Sequence, residues 1–195
     1  MKSHFSKFAL LSVIVLGVVA WSHPNSEDVI LGTTNVVTSP SGFLTVVGEG
    51  NKVNAKNSLI VGSNNRVAHT GTSTLATCAK SIIAGDGNVV DGGRFRNLVS
   101  GNSNSVNSQN ALVVGTSNTV KRPNPEESGY ECAAIGVGNL VSGVRGWTMG
   151  DNNSVSGNYS VAFGSWNNVT TQYSYALGGG LIVDQGVQGS VRFFV

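Results

Sequence analysis

The sequence predicts an all-β protein, a one-dimensional parallel β-solenoid of about ten 14-residue coils with two short strands per coil. Three observations predict it. Glycine recurs at Gly32, Gly48, Gly62, Gly85, Gly101, Gly115, Gly136, Gly150, Gly164 and Gly178, a base period of 14 interrupted by insertions of 2, 9, 2 and 7 residues. Three residues after each glycine but the last stands an asparagine: Asn35, Asn51, Asn65, Asn88, Asn104, Asn118, Asn139, Asn153 and Asn167, with Leu181 closing the series. Five residues after each glycine stands a valine, from Val37 to Val183, without exception. A fixed internal period of this kind marks a repeat architecture whose units bury their apolar faces by stacking.

The chain begins with a segment that belongs to targeting. Met1 to Lys7 carries two lysines, Phe8 to Trp21 is an unbroken run of apolar and small residues, and the small Val18 and Ala20 sit three and one before a cut after residue 20. That layout predicts a signal peptide over 1–20. The apolar run, about 14 residues, is shorter than the roughly 20 a spanning helix needs, so the mature chain is expected to hold no transmembrane anchor. Export places the protein in a secreted, extracellular or cell-surface location. A short N-terminal tail, 21–27, leads into the repeats.

The repeat domain spans 28–183. In each coil the glycine supplies a turn conformation that a Cβ opposes, and the β-branched valine suits a buried strand position. The asparagines are predicted to form a ladder in which each side-chain amide bonds to its counterpart one coil away, so that a buried amide is satisfied along the stack. Coils at about 4.8 Å spacing make ten of them a rod roughly 48 Å long. The residue between Asn and Val is mixed and often polar (Lys52, Arg66, Ser105, Ser154), which reads as a solvent face. The strand before the glycine is apolar on both sides. One column runs through Leu31, Val47, Val61, Val114, Met149 and Phe163, and its opposite through Ile30, Val46, Ile60, Ile83, Val99 and Val113. A strand apolar on both faces is normally buried on both. One column is the coil interior and the other calls for a partner surface, which favours self-association.

The longer insertions, near 68–80 and 121–132, belong in surface loops, because the rod cannot absorb them. Arg94 and Arg96, with Glu126, Glu127 and Tyr130, are the candidate binding-loop residues on this reading. Cys78 and Cys132 end the two insertions. An oxidising compartment favours a disulfide between them within the chain, with a link between chains or free thiols as the alternatives. A C-terminal tail, 184–195, follows the last repeat.

Charge and chemistry narrow the function. Lys2 and Lys7 lie in the leader, so ten remaining cations balance ten Asp and Glu, which argues against nucleic acid as a partner. Outside the leader the histidines are His23 and His69, and no nucleophile–histidine–carboxylate arrangement has spacing support. Asp86 to Asp91 lacks the spacing of a calcium loop. No catalytic residue, metal site or cofactor is expected, and the protein reads as a non-enzyme.

The segments Asn57-Ser-Leu-Ile-Val-Gly62, Tyr159-Ser-Val-Ala-Phe-Gly164 and Tyr173-Ser-Tyr-Ala-Leu-Gly178 resemble the head repeat of the trimeric autotransporter adhesins, the YadA-like head. The resemblance covers about Asp28 to Val183. It implies a left-handed parallel β-roll, a homotrimer with three rolls side by side, and adhesion to extracellular matrix or cell-surface ligands. Asn153-Ser-Val-Ser-Gly157 and Asn104-Ser-Val106 also resemble the β-roll ice-binding proteins of grasses, a second reading. A polysaccharide-active enzyme on a β-helix is a third, without a visible carboxylate cluster to support it.

Overall fold

A computed structural model describes residues 28–38, 43–68, 80–91, 96–121, 131–184 and 191–193. The expected signal peptide and N-terminal tail lie outside the described residues, as do most of both long insertions and of the C-terminal tail.

Among the described residues the chain is all strand, turn and bend. Strands alternate between two parallel sheets. A broad sheet of eleven strands runs from Val29–Leu31 to Val191–Phe193, and a narrow sheet of ten runs from Val36–Val37 to Ile182–Val183. Every strand pairs with the equivalent strand one coil away, as expected of the left-handed β-roll of about ten coils. Register is kept column by column: Gly48 lies over Gly62, Gly62 over Gly85, and Gly85 over Gly101 across a 16-residue spacing. The insertions leave the ladder in phase, because each begins and ends outside a strand.

The glycine and the asparagine form one structural unit. Gly115 has φ of 120°, and a Cβ there would stand 2.0 Å from the carbonyl oxygen of Gly136 on the next coil. Only glycine fits. That carbonyl turns inward and accepts a bond from the amide of the preceding coil's asparagine: Asn118 Nδ2 donates to Gly136 O at 2.8 Å. Asn104 shows the full pattern. Its Nδ2 donates to Asn88 Oδ1 at 2.9 Å and to Gly115 O at 2.8 Å. Its Oδ1 accepts from the backbone N–H of Asn118 at 3.0 Å and from Asn118 Nδ2 at 3.1 Å. Both donors and both lone pairs are used, which is what a fully buried amide requires.

The interior lies between the sheets. From the broad sheet point Val46, Ile60, Ile83, Val99 and Val113, and from the narrow sheet the valine column from Val53 to Val183, all buried, with Val37 at the open end partly buried. The ambiguity between the two apolar columns is therefore resolved: the Ile30–Val46–Ile60 set faces inward. A second inward column, four residues before each glycine, holds Leu44, Ser58, Ser81, Asn97, Ala111 and Cys132, then Ser160 and Ser174. Its polar members are bonded in the stack: Ala111 N donates to Asn97 Oδ1 at 2.8 Å, and Ser174 N to Ser160 Oγ at 3.0 Å. The core narrows toward the C-terminal end, where Val113 gives way to Ala134, Thr148, Ala162 and Ala176. Its apolar part divides there into a long cluster ending at Val141 and a short one beginning at Val155.

Replacing Asn104 by Ala strands the carbonyl of Gly115 and the amide of Asn118, and is expected to lower stability by about 3 kcal/mol in urea unfolding. Gly115→Ala places a methyl group against backbone and is expected to abolish the cooperative transition followed by circular dichroism.

Candidate binding surface

Both sheets present an outer face, and the two differ. On the narrow sheet the outward residue lies between the asparagine and valine columns. Lys52, Arg66, Ser105 and Asn168 are exposed there, and Arg66 lies 3.9 Å from Asp91. This is the mixed solvent face expected.

The broad sheet presents two adjacent columns rather than the single stripe read from sequence. The expected one, directly before the glycine, is outward, with Leu31, Val61, Val114, Met149 and Phe163 exposed. A second runs three residues before the glycine, through Val29, Leu59, Ile82, Leu98, Leu112, Trp147 and Tyr175, and Val191 extends it in register with Tyr175. Strand alternation dictates this pairing: residues one and three before the glycine share a face, and the residue between them points inward. Over the first six coils the face is mostly aliphatic, with Thr45 and Ser100 interrupting its columns, and it acquires Trp147, Met149, Phe163 and Tyr175 on the last four.

A further column borders this face at the turn five residues before the glycine. On successive coils it holds Glu131, Arg145, Tyr159 and Tyr173. Glu131 Oε2 is 3.5 Å from Arg145 Nε. The Arg145 guanidinium lies 5.4 Å from the centre of the Tyr159 ring. Tyr159 and Tyr173 stack with centroids 5.0 Å apart and planes inclined by 11°. Arg145, Tyr159 and Tyr173 all have left-handed backbone, with φ of 54°, 57° and 55°. Asn57 and Asn110 occupy the same place in earlier coils, as suits a residue type that tolerates this conformation. Across the face, at the opposite turn, Trp166 is 66 % exposed with φ of 58°, in a column filled elsewhere by Gly, Asn, Ser or Thr.

Of the sequence-predicted site residues, the nine ladder asparagines stand in one column. Arg96 is exposed beside the broad sheet's Leu98 strand, while Arg94, Glu126, Glu127 and Tyr130 lie outside the described residues. Sequence reasoning missed the second outward column and the edge tyrosines. The signal was present: Tyr159 and Tyr173 are 14 residues apart, as are Trp147 and Val161, and Val161 and Tyr175.

Cys132 is a buried free thiol. It stands in the inward column four before Gly136, and its Sγ donates to Gly143 O at 3.4 Å. No disulfide is formed at this residue, and Cys78 lies outside the described residues. The expectation of a loop-to-loop bond took Cys132 for a loop residue; by register it belongs to the core. Burial pushes the thiol above its ordinary value of 9.0, against smaller lowering contributions from the Gly146 backbone, the Ser108 side chain and the Arg145 backbone. As pH rises the unfolded chain therefore loses this proton first, so the linked stability is full below pH 9 and declines above it. Iodoacetamide at pH 8 is expected to modify Cys132 at least tenfold more slowly in the native protein than in urea, read by peptide mass mapping.

Among the described residues, no group of three or more His, Cys, Asp or Glu is placed to hold a metal ion, and no helix is long and apolar enough to cross a membrane. The chain matches no protein-family model and no curated protein.

Proposed function

We propose that this protein is an exported, adhesin-like β-roll that acts as a binding or structural surface without catalysis, and that it assembles through the broad sheet. The observation that supports this reading is the pair of exposed apolar columns on that sheet, with Leu59, Leu98, Leu112 and Val114 among them. Eleven strands at about 4.8 Å make this face about 48 Å long, and a contiguous apolar face of such length marks an interaction surface. A second copy of the same face is its natural cover, because the rod offers the same columns at the same spacing. The resemblance to the adhesin head makes the assembly a homotrimer, with the narrow sheets turned to solvent and matrix or cell-surface ligands met from outside. An ice-binding role asks for a regular polar array. The narrow sheet's outward column, which includes Val36, Lys52, Arg66, Asn168 and Ile182, counts against it.

Light scattering of the chain without residues 1–20 is expected to give three times the monomer mass, and a monomer would sink the proposal. Leu98→Glu buries a charge in the contact and is expected to shift the mass to the monomer, while Lys52→Glu on the narrow sheet leaves it unchanged. Thermal hysteresis is expected to be absent.

A further inference from the structure

Counting coils from Gly32, the interior changes character between the seventh and the eighth. From Val46 to Val113 the inward position of the broad strand holds Val or Ile. The seventh coil has Ala134 there, and the last three have Thr148, Ala162 and Ala176. In the second inward column Gly146 follows Cys132, so the eighth coil sets Val155 beside a hydroxyl and bare backbone. The buried apolar residues part at this junction. One cluster ends at Val141, and the other consists of Val155, Ala162, Val169, Ala176 and Val183.

Side-chain links across the junction are weak. Thr148 Oγ1 reaches Ala133 O at 3.4 Å, a long bond. Glu131 and Arg145 pair at 3.5 Å with both side chains about half exposed, a setting in which an ion pair contributes little. The contacts of Arg145 with Tyr159 and of Tyr159 with Tyr173 lie wholly within the last three coils. A repeat rod is held by terms between neighbouring coils. Interior methyl groups that are missing weaken those terms, so this end is the part that opens at the lowest free energy. The same three coils carry Trp147, Met149, Phe163 and Tyr175 outward. Apolar bulk that the interior lacks is thus placed on the face that a second copy covers.

We propose that the last three coils form a separate cooperative unit whose order is set by assembly: it opens in the single chain and closes when neighbouring copies cover its rings. This coupling rests on the reading of the broad sheet as the contact between copies. Opening leaves the earlier coils standing, because every strand pairs only with the equivalent strands of adjacent coils.

The narrow sheet supplies the readout, since the contact between copies does not cover it. Ser154 N donates to Asn167 O and Asn168 N to Leu181 O, both at 2.7 Å, in the last coils. Val89 N donates to Asn104 O and Ser105 N to Asn118 O, both at 2.8 Å, in the middle of the rod. Bonds so alike make a difference in protection a report on the coils that hold them.

The test follows hydrogen exchange at these four amides, corrected for intrinsic rate, in the chain without residues 1–20 and in its Leu98→Glu variant. Leu98 lies on the fifth coil, outside the unit, and light scattering gives the mass of each sample. In the monomeric variant, protection at Ser154 and Asn168 is expected to fall at least about a hundredfold below that at Val89 and Ser105. In the assembled wild type that gap is expected to shrink by at least about tenfold. Leu59→Glu, on the third coil of the same column, carries the test if Leu98→Glu fails to fold. Equal protection of the two pairs in the monomer, or the same gap in monomer and assembly, overturns the coupling and leaves assembly standing. A wild type that is already a monomer, or variants that keep the assembled mass, overturn the reading of the broad sheet and the coupling with it.

Discussion

The fold depends on one hydrogen bond repeated along the rod: the amide of each ladder asparagine to the glycine carbonyl of the coil ahead. It explains why two such different residues recur together. The glycine adopts a backbone conformation with positive φ, and its carbonyl meets the asparagine amide of the coil behind. The asparagine supplies the donor, and its remaining donor and acceptor sites are filled by its neighbours in the column. Neither residue is tolerable alone. An inward carbonyl without the amide is a buried unsatisfied acceptor, and a buried amide without the column is worse. The valine beneath them completes the coil by filling the space between the sheets.

With polar satisfaction assigned to a column, the rest of the coil is free to vary within limits of volume. The inward position of the broad strand ranges from Ile60 to Ala162 with the register unchanged. The second inward column changes from Leu44 through Asn97 to Ser174, and each polar member finds a bond in the stack. The outer face is freer still, since it meets no other part of the described chain. That freedom is what allows the last coils to carry bulk outside and small residues inside while keeping the strands in line.

Much of this was legible in the sequence, and the rest was hidden for physical reasons. The Gly, Asn and Val columns were readable because each position admits essentially one residue type. Which of Val46 and Val47 points inward was not, because both faces of that strand are apolar and alternation fixes the pairing of columns without its sign. The column of Leu59, Ile82 and Leu98 was open to the same argument, since it lies two residues from Val61, Ala84 and Ser100. Cys132 was misplaced because the end of an insertion was taken for loop, whereas its distance from Gly136 puts it with Ser58 and Ser160 in the core. The edge tyrosines were obscured by the turn they occupy: asparagine belongs there, and tyrosine gives no turn signal from sequence.

Leu181 changes what holds one coil to the next. It occupies the tenth place in the asparagine column, and its side chain lies against the small apolar cluster around Val183. Its backbone N–H still closes the ladder on Asn167 Oδ1 at 3.0 Å, but an isobutyl group offers nothing to a further coil. The broad sheet nonetheless goes on past this coil, where Val191–Phe193 lies in register on Tyr175–Leu177, so from Leu181 onward strand pairing holds the stack after the amide column has closed.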